Sequence, residues 1–187
     1  MQNAPGNPSY GGYEYQILTT VWVALELIFS KQLTDEISIE PDSYEDVEAK
    51  LDADADSTSA ILNMTFSQID LMIQIKSRST GPWSSSEIAS ILLGSHSKDK
   101  ATPGPEKRSR PIDILESDPK KHYIFVTNAA VEKGLMFHKV DTLLEWPNVK
   151  DLPPNCRKGR TSEDQEKIAK RLALCSSITE EILNSRI

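Results

Sequence analysis

At 187 residues the chain is long enough to bury about 70% of its unfolded surface in one ordinary domain without covalent staples. Two cysteines, Cys156 and Cys175, are too few for a disulfide scaffold or a zinc site, and the histidines His96, His122 and His138 show no ligand spacing. The net charge is −7, the opening residues lack the charged and apolar regions of a signal peptide, and no apolar run reaches the roughly 18 residues of a membrane span, so a soluble cytoplasmic protein is expected.

Residues 1–12, with their Pro and Gly, read as an irregular lead-in, and 13–187 as one domain. From Tyr13 to about Leu33, Leu18, Val21, Leu25 and Ile28 recur at helical spacing, widened by Ile17, Trp22 and Phe29; Glu14 falls on the same line, at the start of the expected buried face. Ile37 to Glu40 reads as a strand, and Pro41-Asp42-Ser43 as a turn into a second strand, Glu45 to Leu51. An acidic turn (Asp52 to Ser59) and further pairing (Ala60 to Phe66) precede the strand Ile69 to Lys76. Ser84 and Glu87 have capping-box spacing ahead of a helix reaching about Leu93. Residues 94–120 read as a long loop with one turn near Ile112 to Leu115. A strand at Tyr123 to Val126 is followed by an expected helix over Ala130 to Phe137, then by a Pro-punctuated connection from Trp146 to Arg160. The Ser162-Glu163-Asp164-Gln165 sequence offers a last capping box, before a helix carrying Ile168, Leu172, Cys175, Ile178 and Ile182 almost to Ile187.

The chemistry concentrates on two strands. Successive side chains of a strand alternate between faces, so Val47, Ala49 and Leu51 oppose Asp46, Glu48 and Lys50, and Leu71, Ile73 and Ile75 oppose Asp70, Met72, Gln74 and Lys76. If the two pair, backbones about 4.8 Å apart bring Asp46, Gln74 and Lys76 around one metal-bound phosphate. Either strand alone reads more simply as the solvated face of an amphipathic strand; the combination, in this order and after a helix with Glu14, points to a shared site.

Asp46 followed by Gln74-Ile75-Lys76 resembles the PD-(D/E)xK nuclease superfamily, in which an acid on one strand precedes Glu/Gln-x-Lys on the next. Upstream Gly12-Tyr13-Glu14-Tyr15-Gln16 and downstream Tyr123-Ile124-Phe125-Val126-Thr127-Asn128 extend the likeness over roughly residues 10–130. The order is similar to the endonuclease effector domains of bacterial antiphage systems, among them CD-NTase-associated DNA endonucleases and nucleases fused to STAND-type NTPases. The resemblance implies an α/β fold with a restriction-endonuclease-like mixed central sheet flanked by helices. It also implies a Mg²⁺-dependent hydrolase, with Mn²⁺ as a substitute, cleaving double-stranded DNA and active as a homo-oligomer. This chain would then be the N-terminal effector of a longer protein with sensor or NTPase domains. Carried over residue by residue, Asp46, Gln74 and Glu14 hold the metal, helped by the Ile75 carbonyl; Lys76 holds the attacking water; Arg78 and Gln16 contact substrate. Glu45, Glu48 and Asp70 are alternatives to Glu14. Many members carry Glu where this chain has Gln74, which implies weaker metal binding.

The acidity is local. Residues 35–56 hold ten acids against Lys50, a balance of −9, which leaves +2 for the rest of the chain; basic groups cluster at Lys98/Lys100, Lys107/Arg108/Arg110, Lys120/Lys121 and Arg157/Lys158/Arg160. An acidic pocket with a basic rim accords with a metal-dependent nuclease. Two rivals remain at this stage: a catalytically silent nuclease-like domain serving as a binding or assembly module, and a regulatory domain binding a small ligand or protein. No GxxxxGK or GxGxxG sequence occurs to support nucleotide binding.

Overall fold

The structure, a computed structural model, describes residues 8–41, 45–52, 68–94 and 110–185. The expected turn at Asp52 to Ser59 beyond Asp52, the pairing at Ala60 to Phe66 and most of the long loop lie outside these residues.

Helix α1 spans Pro8–Ala24 and ends in a π-helical turn, Leu25–Ser30. It starts five residues before Tyr13, with Pro8 at its first position, where the missing N–H removes no helical hydrogen bond. Its buried line is Tyr15, Thr19, Trp22, Val23 and Leu27; Tyr13 is 57% exposed and Val21 41%. The expected line through Glu14, Leu18 and Val21 is therefore not the one that packs. The helix is apolar on most of its circumference, so two stripes compete, and the stripe bearing Tyr15 and Trp22 removes more area from water.

The sheet has six strands: β1 (Ser38–Ile39), β2 (Val47–Asp52), β3 (Gln68–Lys76), β4 (Lys121–Thr127), β5 (Lys139–Val140) and β6 (Leu172–Cys175). They lie in the order β1-β2-β3-β4-β6-β5, with β1, β2 and β3 antiparallel and β3, β4, β6 and β5 parallel. This is a mixed sheet flanked by helices. On one face α1 and α5 (Glu180–Asn184) cover Ile73, Ile75, Ile124 and Val126. On the other, α2 (Ser85–Leu92), α3 (Pro111–Ser117) and α4 (Ser162–Ala169) cover Met72, Tyr123, Phe125 and Leu174. Both faces of β3 are thus buried from Leu71 to Ile75, so Gln74 is not on a solvated face.

The C-terminal part departs from expectation. The helix expected to run from Ser162 almost to Ile187 is instead α4, strand β6 and α5. All four residues of Leu172-Ala-Leu-Cys are buried between β4 and β5. A short apolar run covered on both faces has no period by which to tell strand from helix. Helix α4 is capped by Thr161, whose hydroxyl accepts from the Asp164 N–H (3.1 Å), one residue before the expected Ser162. The helix expected over Ala130 to Phe137 is a 3₁₀ turn, Lys133–His138, preceded by a bridge between Val131 and Trp83.

Candidate active site

Asp46 stands one residue before β2, where the ladder is irregular. Val47 is the register partner of Ile73, yet the Asp46 N–H also donates to the Ile73 carbonyl (3.0 Å). Two residues facing one is the arrangement of a β-bulge, which re-aims the side chain it displaces. Re-aimed, the Asp46 carboxylate meets the end of β3. The Ile75 N–H donates to Oδ2 (2.6 Å), the Gln74 side-chain amide donates to the same oxygen, and the Gln16 amide, reaching over from α1, donates to Oδ1 (3.0 Å). Asp46, Gln74 and Gln16 are therefore in one cluster, made by a helix and two strands.

Two opposed effects act on the Asp46 carboxyl. Burial raises its pKa above the ordinary 3.8 and outweighs the Ile75 hydrogen bond, the Lys76 charge and the Gln74 hydrogen bond, all of which favour the anion; the Glu40 charge raises it further. Lys76 is exposed at the end of β3, and its ammonium is felt at Asp46. Glu40, the residue after β1, holds a left-handed conformation (φ 49°) and adds its charge at the same end of the sheet.

Of the other predicted site residues, Glu14, Arg78, Glu48 and Asp70 are placed away from this cluster. Glu14 is exposed, about 200° round the helix from Gln16. Gln16, expected to contact substrate, bonds Asp46 instead. Arg78 stacks over the Trp83 ring at 3.9 Å, donates to the Pro82 carbonyl (2.7 Å) and pairs with both Glu87 carboxylate oxygens, so its guanidinium ties β3 to α2. Glu45 is buried beside Asp46. Glu48 and Asp70 line a separate shallow cavity with Glu36, Lys50 and Lys121, and Asp70 pairs with Lys121 at 3.3 Å.

Tyr123 was expected only as the start of a strand. This fully buried tyrosine of β4 lies in the field of Glu45 and Asp46; burial first, then those two charges, push its phenol well above the usual range. Its register partner is Met72, two residues from Gln74, a relation that only the β3–β4 pairing reveals.

Among the described residues no group of three or more His, Cys, Asp or Glu side chains is disposed to hold a metal. What converges is one carboxylate, the Gln74 amide and the β3 main chain. The Ile73 carbonyl and the Ile75 N–H both point to the β2 side, so the Ile75 carbonyl points to that side of β3 as well. Mg²⁺ takes oxygen ligands and keeps several waters, so one carboxylate with two neutral oxygens fits it as a weak site. No protein-family model, curated protein or solved structure matches the chain.

Proposed function

We propose that this domain is a metal-dependent DNA endonuclease of the restriction-like kind, the effector part of an antiphage defence protein. The observation that carries the proposal is the Asp46 carboxylate bonded to Gln74 and to the Ile75 N–H, with Lys76 next along β3. The order of elements supports it: α1, strand β2 with Asp46 just before it, the Gln-x-Lys strand β3, helix α2 and strand β4 occur in the sequence of the resemblance, with β1 added before β2 and α3 before β4.

A divalent cation, when bound, neutralises charge on the phosphate and lowers the pKa of a bound water. Asp46 would hold it, with the Gln74 amide oxygen and the Ile75 carbonyl. Lys76, exposed and close enough for its charge to reach Asp46, holds the attacking water and offsets the negative charge that grows on the phosphate oxygens. Arg78, expected at the substrate, pairs with Glu87 here.

The test is cleavage of supercoiled plasmid in Mg²⁺ or Mn²⁺ by the purified protein and by Lys76→Ala. Wild type should cut, and the variant should lose at least about 100-fold in rate while melting at the same temperature. Undiminished cleavage by Lys76→Ala would remove Lys76 from the mechanism. A second reading, a silent nuclease-like binding module, gains from the absence of charge on Gln74 and from the three donors that already occupy Asp46. Cation binding that Asp46→Ala abolishes, with no cleavage under any condition, would favour that reading.

A further inference from the structure

Asp46 is held by three donors, and they are not equivalent. An ionised carboxylate offers about four lone-pair sites, and three are taken here. The Ile75 N–H belongs to the main chain of β3, which β4 holds in register at this residue, and cannot turn away. The other two donors are side-chain carboxamides, each carrying an oxygen on the same planar group. Next to an ionised carboxylate an amide turns its NH₂ inward, because its oxygen would be repelled. Next to a cation the preference reverses. Gln74 can meet the reversal by half a turn of its terminal torsion, which makes it a ligand. Gln16 faces the same choice from α1, where Tyr15 and Thr19 on either side of it are fully buried and hold the helix in place.

We propose that Gln16 is a positioning residue that latches the Asp46 carboxylate against cation entry, so that loading the metal site requires the Gln16 carboxamide to let go. The latch rests on the reading of Asp46 as a metal ligand. It spans 30 residues of sequence, from α1 to the β-bulge, and so ties the seat of the first helix to the state of the site. It also gives α1 a stake in the site through Gln16, two residues from the acid first expected there.

Two measurements on the full chain test this. In ¹⁵N-labelled wild type, the side-chain NH₂ signals of Gln16 and Gln74 and the Ile75 N–H signal are followed during Mg²⁺ titration; all three should move with one midpoint. Free Mn²⁺ counted by electron paramagnetic resonance gives the affinity of wild type and of Gln16→Met, which keeps length and loses the donor. Gln16→Met should bind about tenfold more tightly, the worth of one hydrogen bond to a charged group. A Gln16 signal that stays still while Ile75 moves, or an unchanged or weaker Mn²⁺ affinity in Gln16→Met, would overturn the latch and leave the metal site standing. If neither protein binds Mn²⁺, latch and metal site fall together. Should Gln16→Met not fold, the wild-type titration alone decides.

Discussion

Asp46 is surrounded by groups suited to an anion, and Gln74 is the one whose replacement separates structural from metal-binding roles. Gln74 is only 6% exposed and donates to Asp46. Changing it to Glu sets a second carboxylate against the first in a largely buried place. Without metal, Gln74→Glu should therefore be less stable than wild type by about 1–3 kcal/mol. A divalent cation relieves that repulsion, and stabilisation by a ligand grows with its affinity. Thermal melts in EDTA and in Mg²⁺ should show a larger Mg²⁺-induced rise for the variant than for wild type; equal rises would mean that no cation sits between residues 46 and 74. That these two residues lie at neighbouring strands was legible in the sequence, from two alternating runs that can pair. The bulge that aims Asp46 was not legible, since nothing in Glu45-Asp46-Val47 marks an extra residue in the ladder. Gln16 was expected at the substrate, and its hydrogen bond to Asp46 was not legible, because the phase of a helix apolar on most sides depends on which stripe its neighbours cover.

Helix α2 is an element announced in the sequence by contacts within a few residues. Helix α2 has the expected capping box: the Ser84 hydroxyl accepts from the Glu87 N–H, and the Glu87 carboxylate accepts from the Ser84 N–H (2.9 Å). The same carboxylate takes up Arg78, and that hydrogen bond, followed by those from Ser84, draws its pKa down to about 2. A carboxyl held below its ordinary 4.5 contributes stability that is full above that pH and fades as pH falls toward 2. Glu87→Ala should cost about 1–2 kcal/mol in urea unfolding at pH 7 through loss of the cap. The loss should shrink below pH 4.5; a pH-independent difference would assign it to packing alone. Strand β6 is the opposite case. Its place between β4 and β5 is fixed by parallel partners more than 30 residues away in sequence, and no local signal distinguishes Leu172 to Cys175 from a helical segment.

Across the whole molecule, the sheet with helices on both faces encloses groups that the site does not use, and one of them sets how the fold responds to acid. His122 of β4 is fully buried, its ring 4.6 Å from that of Trp146 at 62°, and its Nδ1 lies 2.9 Å from the Lys120 carbonyl. Burial dominates, and its pKa falls from the ordinary 6.5 to about 4. The native state thus keeps this ring neutral where the unfolded chain binds a proton. His122 contributes stability that is complete above pH 6.5 and is lost as pH drops toward 4, with a slope of up to about 1.4 kcal/mol per pH unit. Asp46, whose pKa is raised, acts with the opposite sign over part of that range, so the decisive quantity is the difference between variants. His122→Phe keeps an aromatic ring against Trp146 and removes the titrating group. Urea midpoints from pH 7 to pH 4 should fall less steeply for His122→Phe, by close to one proton, even where the variant is the less stable protein at pH 7. Parallel curves would place the acid response elsewhere, with the buried His138, whose pKa is also lowered by burial, as the next residue to replace.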